Sequence, residues 1–191
     1  MTVATSNEAL MSQIIVETPR ILACLWHEDE AALLKDLHST HETSGYITGE
    51  GPWSHEKALL KLQKYRSEHE EDGTGKYKII LKRDGSFIGR AGVSAYDKQA
   101  GEYELGYVLK KAHWGQGLAT EIARAMTNRF FKLGLSNRLI AFSDHWNRPS
   151  HQVLQKIGML NIGSRLVGGS ETLEFSIFDS DWKSRVTPTE R

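Results

Sequence analysis

"AHWGQGLATE", residues 112–121, sets Gly115 and Gly117 around a glutamine, where the apolar run "YELGYVL" (103–109) gives way to an amphipathic stretch. Glycine this dense at a strand-to-helix junction marks a place where something comes close to the backbone. Three readings compete. A phosphate-binding P-loop needs Gly-Lys-Ser/Thr after its spacer, and no such lysine follows. A dinucleotide fingerprint, Gly-x-Gly-x-x-Gly/Ala, is met at Gly115 and Gly117 but broken by Thr120, and the strands before it look antiparallel. The third reading is a bare helix N-terminus, whose free N–H groups and dipole hold a diphosphate. Taken alone, the residues leave that reading level with a plain tight turn.

Working outward, Leu118, Ile122, Ala125, Met126, Phe130 and Leu133 fall on one helical face, and Gly134 is placed to end the helix. Upstream, "KYKIILKR", "SFIGRAGVSAY" and "EYELGYVLK" are β-rich runs separated by "DG" and "KQAGE", the pattern of an antiparallel meander with a hairpin at Asp84-Gly85. Downstream, "RLIAFS" predicts a strand. A second helix starts at "NRPS", carries Val153, Leu154 and Ile157, and stops at Gly158. "MLNIGSRLV" and "ETLEFSIF" predict a closing hairpin across "GGS". Near the start, "TPRILACLW" predicts a strand and "HEDEAALLKDLHST" a short helix. Gly45, Gly49, Gly51 and Pro52 mark a loop. Ser54 caps a helix to about Glu70, with Leu59, Leu60 and Leu62 as its apolar face.

These elements give one α+β domain over residues 14–180, after a flexible N-terminus (1–13) and before a polar tail (181–191). The chain has 191 residues, 39% hydrophobic and 25% charged, with 24 basic against 24 acidic side chains. That balance lacks the basic footprint of a nucleic-acid binder. The single cysteine, Cys24, excludes an internal disulfide framework and reads as a core thiol in a reducing compartment. No signal peptide and no spanning segment is evident, so the expectation is a cytoplasmic protein without membrane contact. The histidines show no zinc pattern, so no metal is expected.

The two glycine-bearing blocks, "WGQGLAT" (114–120) and "NRPSHQVLQKIGM" (147–159), in this order of strands and helices, resemble the GNAT acetyltransferase superfamily. Its Gln/Arg-x-x-Gly-x-Gly/Ala motif is matched by Gly117 and Ala119, with Trp114 replacing the usual first residue. That replacement is similar to the branch of ribosomal-protein N-terminal acetyltransferases. The second block resembles the same branch in Asn147, Ser150, Lys156 and Gly158. The resemblance runs from about Ile14 to Phe178.

The resemblance implies a mixed, mostly antiparallel sheet flanked by helices, splayed between its two central strands. It implies acetyl-CoA as donor and a primary amine, on a small molecule or a peptide N-terminus, as acceptor. The backbone of Tyr107, Val108 and Leu109 would bond the pantetheine arm, the Tyr107 N–H polarising the thioester. The amides of Gly115, Gln116, Gly117, Leu118, Ala119 and Thr120 would take the pyrophosphate, and Asn147 would reach the cofactor from the second helix. Glu104 is the first choice of general base and Glu102 its rival on the same strand face. Leu154 stands where many relatives carry a tyrosine, which makes Ser150 the candidate acid for the leaving thiolate. Asn147 and Ser150 also suit a helix start. His113 and His145 flank the motif blocks and are candidates for lining the acceptor site. The acceptor walls are expected at about 40–53, with Glu42, Tyr46, Glu50 and Trp53, and at Arg165–Glu171. A non-catalytic acyl-CoA-binding or sensor module on the same fold is the alternative, and a homodimer is implied by resemblance only.

Overall fold

A computed structural model describes residues 14–48 and 51–185, the side chains of 46–48 excepted. The expected N-terminus (1–13), Gly49, Glu50, the Tyr46 side chain and residues 186–191 lie outside the described residues. The strands are β1 (Ile14–Glu17), β2 (Ile21–Cys24), β3 (Gly75–Leu81), β4 (Phe87–Asp97), β5 (Glu102–Leu109), β6 (Arg138–Ser143), β7 (Leu160–Val167) and β8 (Ser170–Phe178). The helices are α1 (Ala31–Leu37), α2 (His41–Thr48), α3 (His55–Asp72), α4 (Leu118–Leu133), α5 (Arg148–Lys156) and α6 (Asp179–Arg185). One sheet runs β1-β2-β3-β4-β5-β6-β8-β7. Every neighbouring pair is antiparallel except β5 and β6.

Each sheet face carries its own core. On one face, α4 and α5 cover Ile79, Ile88, Leu105, Leu139 and Phe175, and Leu118, Ile122, Met126 and Phe130 are at most 2% exposed at the four-residue spacing of one helix face. On the other, α1 and α3 bury Trp26, Leu34, Leu37, Trp53, Leu62 and Tyr65 against Val108. Cys24 is buried in the sheet, and burial pushes its thiol pKa up, as suits an inert core group. The Ser54 hydroxyl accepts the Lys57 amide at 3.1 Å, the expected cap. The β3–β4 hairpin turns at Asp84-Gly85, where Asp84 accepts the Ser86 amide at 3.0 Å and Gly85 takes a φ of 71°.

The structure departs from expectation at three places. Gly45 lies inside α2 instead of in a loop: the His41 ring fills the space a Cβ would need, at 2.6 Å, so a glycine is the residue that lets this helical turn close. Leu60 is exposed, because the buried face of α3 follows Ala58, Leu62 and Tyr65, about 200° away around the helix. The chain also stays helical past Asp181, and Trp182 of α6 is buried against Phe131.

Trp182→Ala should therefore cost about 3–5 kcal/mol of stability, read as a fall in the urea midpoint. A loss below about 1 kcal/mol would mean that α6 contributes nothing to the core.

Candidate functional site

Among the described residues, β5 and β6 are in register at one pair, Glu104 with Ile140, after which the two strands diverge. Four charged side chains pin the closed end of this V. Arg165 of β7 grips Glu102 at 2.7 and 3.1 Å and Glu174 at 2.8 Å, and Arg138 of β6 reaches Glu174 at 2.9 Å. Beyond the closed end, backbone groups of β5 lose their partners. The Lys110 amide donates to Ile88 at 2.8 Å. By strand alternation, the backbones of Val108 and Gly106 also turn to β4, while Tyr107 and Leu109 turn to the gap. The Leu109 carbonyl is already taken, at 2.7 Å, by the indole N–H of Trp114. This bond gives Trp114 a role in the loop: it ties the turn before α4 to the end of β5.

That loop continues the run of open donors. Gly115 and Gly117 have φ of 72° and 77°, the left-handed region that side chains resist. A Cβ on Gly115 would meet nothing within 4 Å, and one on Gly117 only the tip of Arg20 at 3.6 Å, so the glycines shape the turn and leave its outer side clear. Gly117 begins α4 without a side-chain cap. Among the described residues, no amide from Gly115 to Thr120 donates a hydrogen bond; the first helical one is Glu121 to Gly117 at 3.1 Å. Arg20 holds the loop from behind, donating to the Gln116 carbonyl at 2.9 Å and to Glu121 at 2.6 Å.

A cavity of about 440 Å³ opens from the gap toward α3 and the β7–β8 turn. Glu104, Tyr107, Val108, Asn147 and Ser150 line it; the glycine loop lies outside it. Glu104 presents its carboxylate with the side chain 32% exposed, 3.7 Å from the ammonium of Lys76. Lys76 crosses from β3 over Gly106, where a Cβ would stand 3.0 Å from its tip, and donates to the Glu104 carbonyl at 2.7 Å. Burial lowers its pKa to about 8, against the pull of Glu104. Glu102 is absent from the cavity lining: the Arg165 bonds engage its carboxylate and hold it below the usual range. Of the two carboxylates that strand alternation could not separate, Glu104 alone faces the cavity.

Tyr107 sends its ring to the opposite face. Its hydroxyl meets Ser150 Oγ at 2.9 Å and donates to the Ser150 carbonyl at 3.2 Å, and burial pushes the phenol pKa far up, keeping it a proton carrier. Asn147 Oδ1 accepts the Ser150 amide at 3.3 Å, the cap expected of a helix start, and its side-chain Nδ2 has no hydrogen-bond partner among the described residues.

The acceptor walls differ from expectation. Glu42 binds Lys111 at 3.0 Å outside the cavity, and His113 and His145 do not line it. The hairpin contributes Val167, Gly168, Ser170 and Thr172, while Arg165 stays in the ion network. Trp53, expected in this wall, lines the α3 side together with Lys61, Tyr65 and Arg90, three residues that no linear motif singles out. Arg90 donates to His38 Nε2 at 2.9 Å, and His38 donates from Nδ1 to the Thr43 carbonyl at 2.7 Å. Burial, with Arg90 beside it, pushes the His38 pKa down to about 2, so the ring is neutral.

Comparisons with known proteins agree with this architecture. The family model for the acetyltransferase (GNAT) domain matches residues 20–160, from the threshold of β2 to the start of β7. An uncharacterized N-acetyltransferase of Bacillus subtilis (strain 168), YnaD, is 32% identical over 150 residues, which is 78% of this chain and 84% of its own. Two solved structures share the fold at low identity. The aminoglycoside acetyltransferase AAC(6')-Ib, in complex with ribostamycin and coenzyme A, superposes with a TM-score of 0.74 at 14% identity, over 88% of this chain and 98% of its own. RimL, a ribosomal L7/L12 alpha-N-protein acetyltransferase in complex with coenzyme A, gives 0.72 at 15%, over 87% and 98%.

The buried Lys76 makes the fold pH-dependent in a defined direction. Its pKa in the fold is about 8 against a reference value of 10.5, so between those values the unfolded chain holds more protons and stability rises with pH. The unfolding free energy of the wild type minus that of Lys76→Met should climb by up to about 3 kcal/mol across this window and stay flat below it. A difference that falls with pH would show that the fold favours the ammonium.

Proposed function

The chain belongs to the GNAT acetyltransferase family, and from that premise we propose that it is an acetyl-CoA-dependent N-acetyltransferase acting on a primary amine by direct attack. One observation carries this reading: open backbone donors stand at Tyr107 and Leu109, which face the gap, and again at the amides of Gly115–Thr120, with only a short bonded turn between them. A thioester on a pantetheine arm, ending in a diphosphate, matches those donors in chemistry, with amide groups for the gap and phosphate oxygens for the helix start. The clear space outside Gly115 and Gly117 fits the same ligand.

The residues divide the reaction between them. The amides of Gly115, Gln116, Gly117, Leu118, Ala119 and Thr120 hold the diphosphate, and the side-chain Nδ2 of Asn147 reaches the arm. The Tyr107 N–H meets the thioester oxygen, and such a donor, placed where negative charge develops, contributes about 3 kcal/mol to the barrier reduction. Lys76 and Arg90 lower the pKa of an ammonium entering the cavity, because like charges disfavour its protonated form. Glu104 takes the amine proton, directly or through water. The amine nitrogen then bonds to the carbonyl carbon and the carbon–sulfur bond breaks. The thiolate leaves toward Tyr107 and Ser150, whose hydrogen-bonded hydroxyls pass it a proton.

Two substitutions test the halves of the site. Gly117→Asp fills the anion site with negative charge at a helix start whose dipole favours it; aspartate is among the few side chains that visit the left-handed region Gly117 occupies, and an unchanged circular dichroism spectrum checks that the fold is kept. Calorimetric titration should show CoA affinity reduced more than about 100-fold, equivalent to roughly 2.7 kcal/mol; unchanged affinity would remove the loop from the site. Glu104→Gln should keep CoA affinity and lower kcat by about 10²–10⁴. Full activity in this variant would discard Glu104 as base, and a wild type that binds CoA yet turns over no amine would favour a binding module.

A further inference from the structure

The α3 side of the cavity carries positive charge that its carboxylates only partly pair. Four cations line the cavity, and two have partners: Lys64 lies 3.5 Å from Glu68 and Lys76 3.7 Å from Glu104. Lys61 and Arg90 have no carboxylate within 4 Å among the described residues. Arg90 is 4% exposed and flanked by the rings of Trp53 and Tyr65, at 5.8 and 5.7 Å. Its one hydrogen bond is the Nε contact to neutral His38, so the terminal guanidinium nitrogens have none among the described residues. A buried cation keeps its place at considerable cost unless an anion meets it. Beside it, the indole N–H of Trp53, 3% exposed, is a buried donor with no acceptor among the described residues. An orphan donor of this kind calls for an oxygen.

We propose that the acceptor is an amine carrying its own anionic oxygen group, a carboxylate or a phosphate, bound by Arg90, Lys61 and the Trp53 N–H while the amine faces Glu104. This rests on the acetyltransferase reading of the cavity. Burial and the positive neighbours Lys64 and Arg90 lower the Lys61 pKa, a repulsion that a bound anion relieves. Guanidinium, ammonium and indole N–H together form a set of donors with no acceptor, which suits an oxyanion and rejects a polycation. The cavity also holds the carboxylates Glu104 and Asp144, but its wall at Arg90, Lys61 and Trp53 disfavours a second cationic group there, as in a polyamine or an aminoglycoside. Arg90 and Glu104 stand on one sheet face, paired across β4–β5 with Val108 and Ser94. Their strand positions are four residues apart, about 13 Å, so the spacer between amine and anion is a second determinant.

The test uses amines paired with and without the anionic group over a range of spacers: β-alanine, 6-aminohexanoate and triglycine each against its amide, and O-phosphoethanolamine against ethanolamine, with CoA release as readout. The anionic member should show at least a tenfold higher kcat/KM in one or more pairs, and the pair that shows it separates carboxylate from phosphate. Lys61→Met and Arg90→Met should each cut that ratio about tenfold; should Arg90→Met fail to fold, the less buried Lys61 position carries the comparison. Neutral members equal to or better than anionic ones in every pair, or a ratio intact in Lys61→Met, would overturn the proposal. Calorimetry with N-acetyl-β-alanine against its amide, without acetyl-CoA, keeps the two readings apart. A preference for the carboxylate with no transfer to any amine would sink the acetyltransferase reading alone. Transfer without charge preference in either assay would sink the anion site alone.

Discussion

A backbone amide or carbonyl that leaves a sheet must find another partner, and the divergence of β5 from β6 sets that demand at the centre of this molecule. The parallel pairing of Glu104 with Ile140 joins the halves of the sheet. The network of Glu102, Arg138, Arg165 and Glu174 closes one end of the V, so the opening falls wholly on the other. From there the chain passes through the Trp114 bond to Leu109 and into a helix that starts without a cap. Gap and helix start are thus two groups of open donors, separated by the bonded amides of Lys110, His113 and Trp114 and tied together by the Trp114 side chain.

The sheet also separates the chemistry by face. Even-numbered residues of β5 look toward α3, which puts Glu104 with Lys76 and Arg90; Tyr107 looks toward α5 and meets Ser150. In the reaction we propose, proton removal from the amine and proton delivery to the thiolate would fall on opposite sides of this strand. The neutral His38 fits this division, because a protonated imidazole or a carboxylate at that point would change the field that Arg90 projects into the cavity.

Much of this was legible in the chain. The two-residue alternation of residues 76–110, the Asp84-Gly85 turn and the stripe of α4 predict the meander and its long helix, and the glycine loop marks the helix start. What sequence could not supply is pairing across the sheet. Lys76 and Arg90 read as ordinary strand cations until the register sets them beside Glu104 and under α3. Glu102 and Glu104 are equivalent by alternation, and only Arg165, some sixty residues away, tells them apart. The helix at His41–Thr48 was hidden because its Gly45 and neighbouring glycines look like loop composition, while the His41 ring that accommodates Gly45 is a tertiary detail.

The account depends most on the open donors, and amide hydrogen exchange read by NMR addresses them residue by residue. On addition of CoA, the amides of Tyr107 and of Gly115 through Thr120 should slow together by at least about tenfold, while those already bonded across β3–β4 stay as they were. Exchange that is already slow at these amides in the free protein, or that does not respond to CoA, would contradict the account.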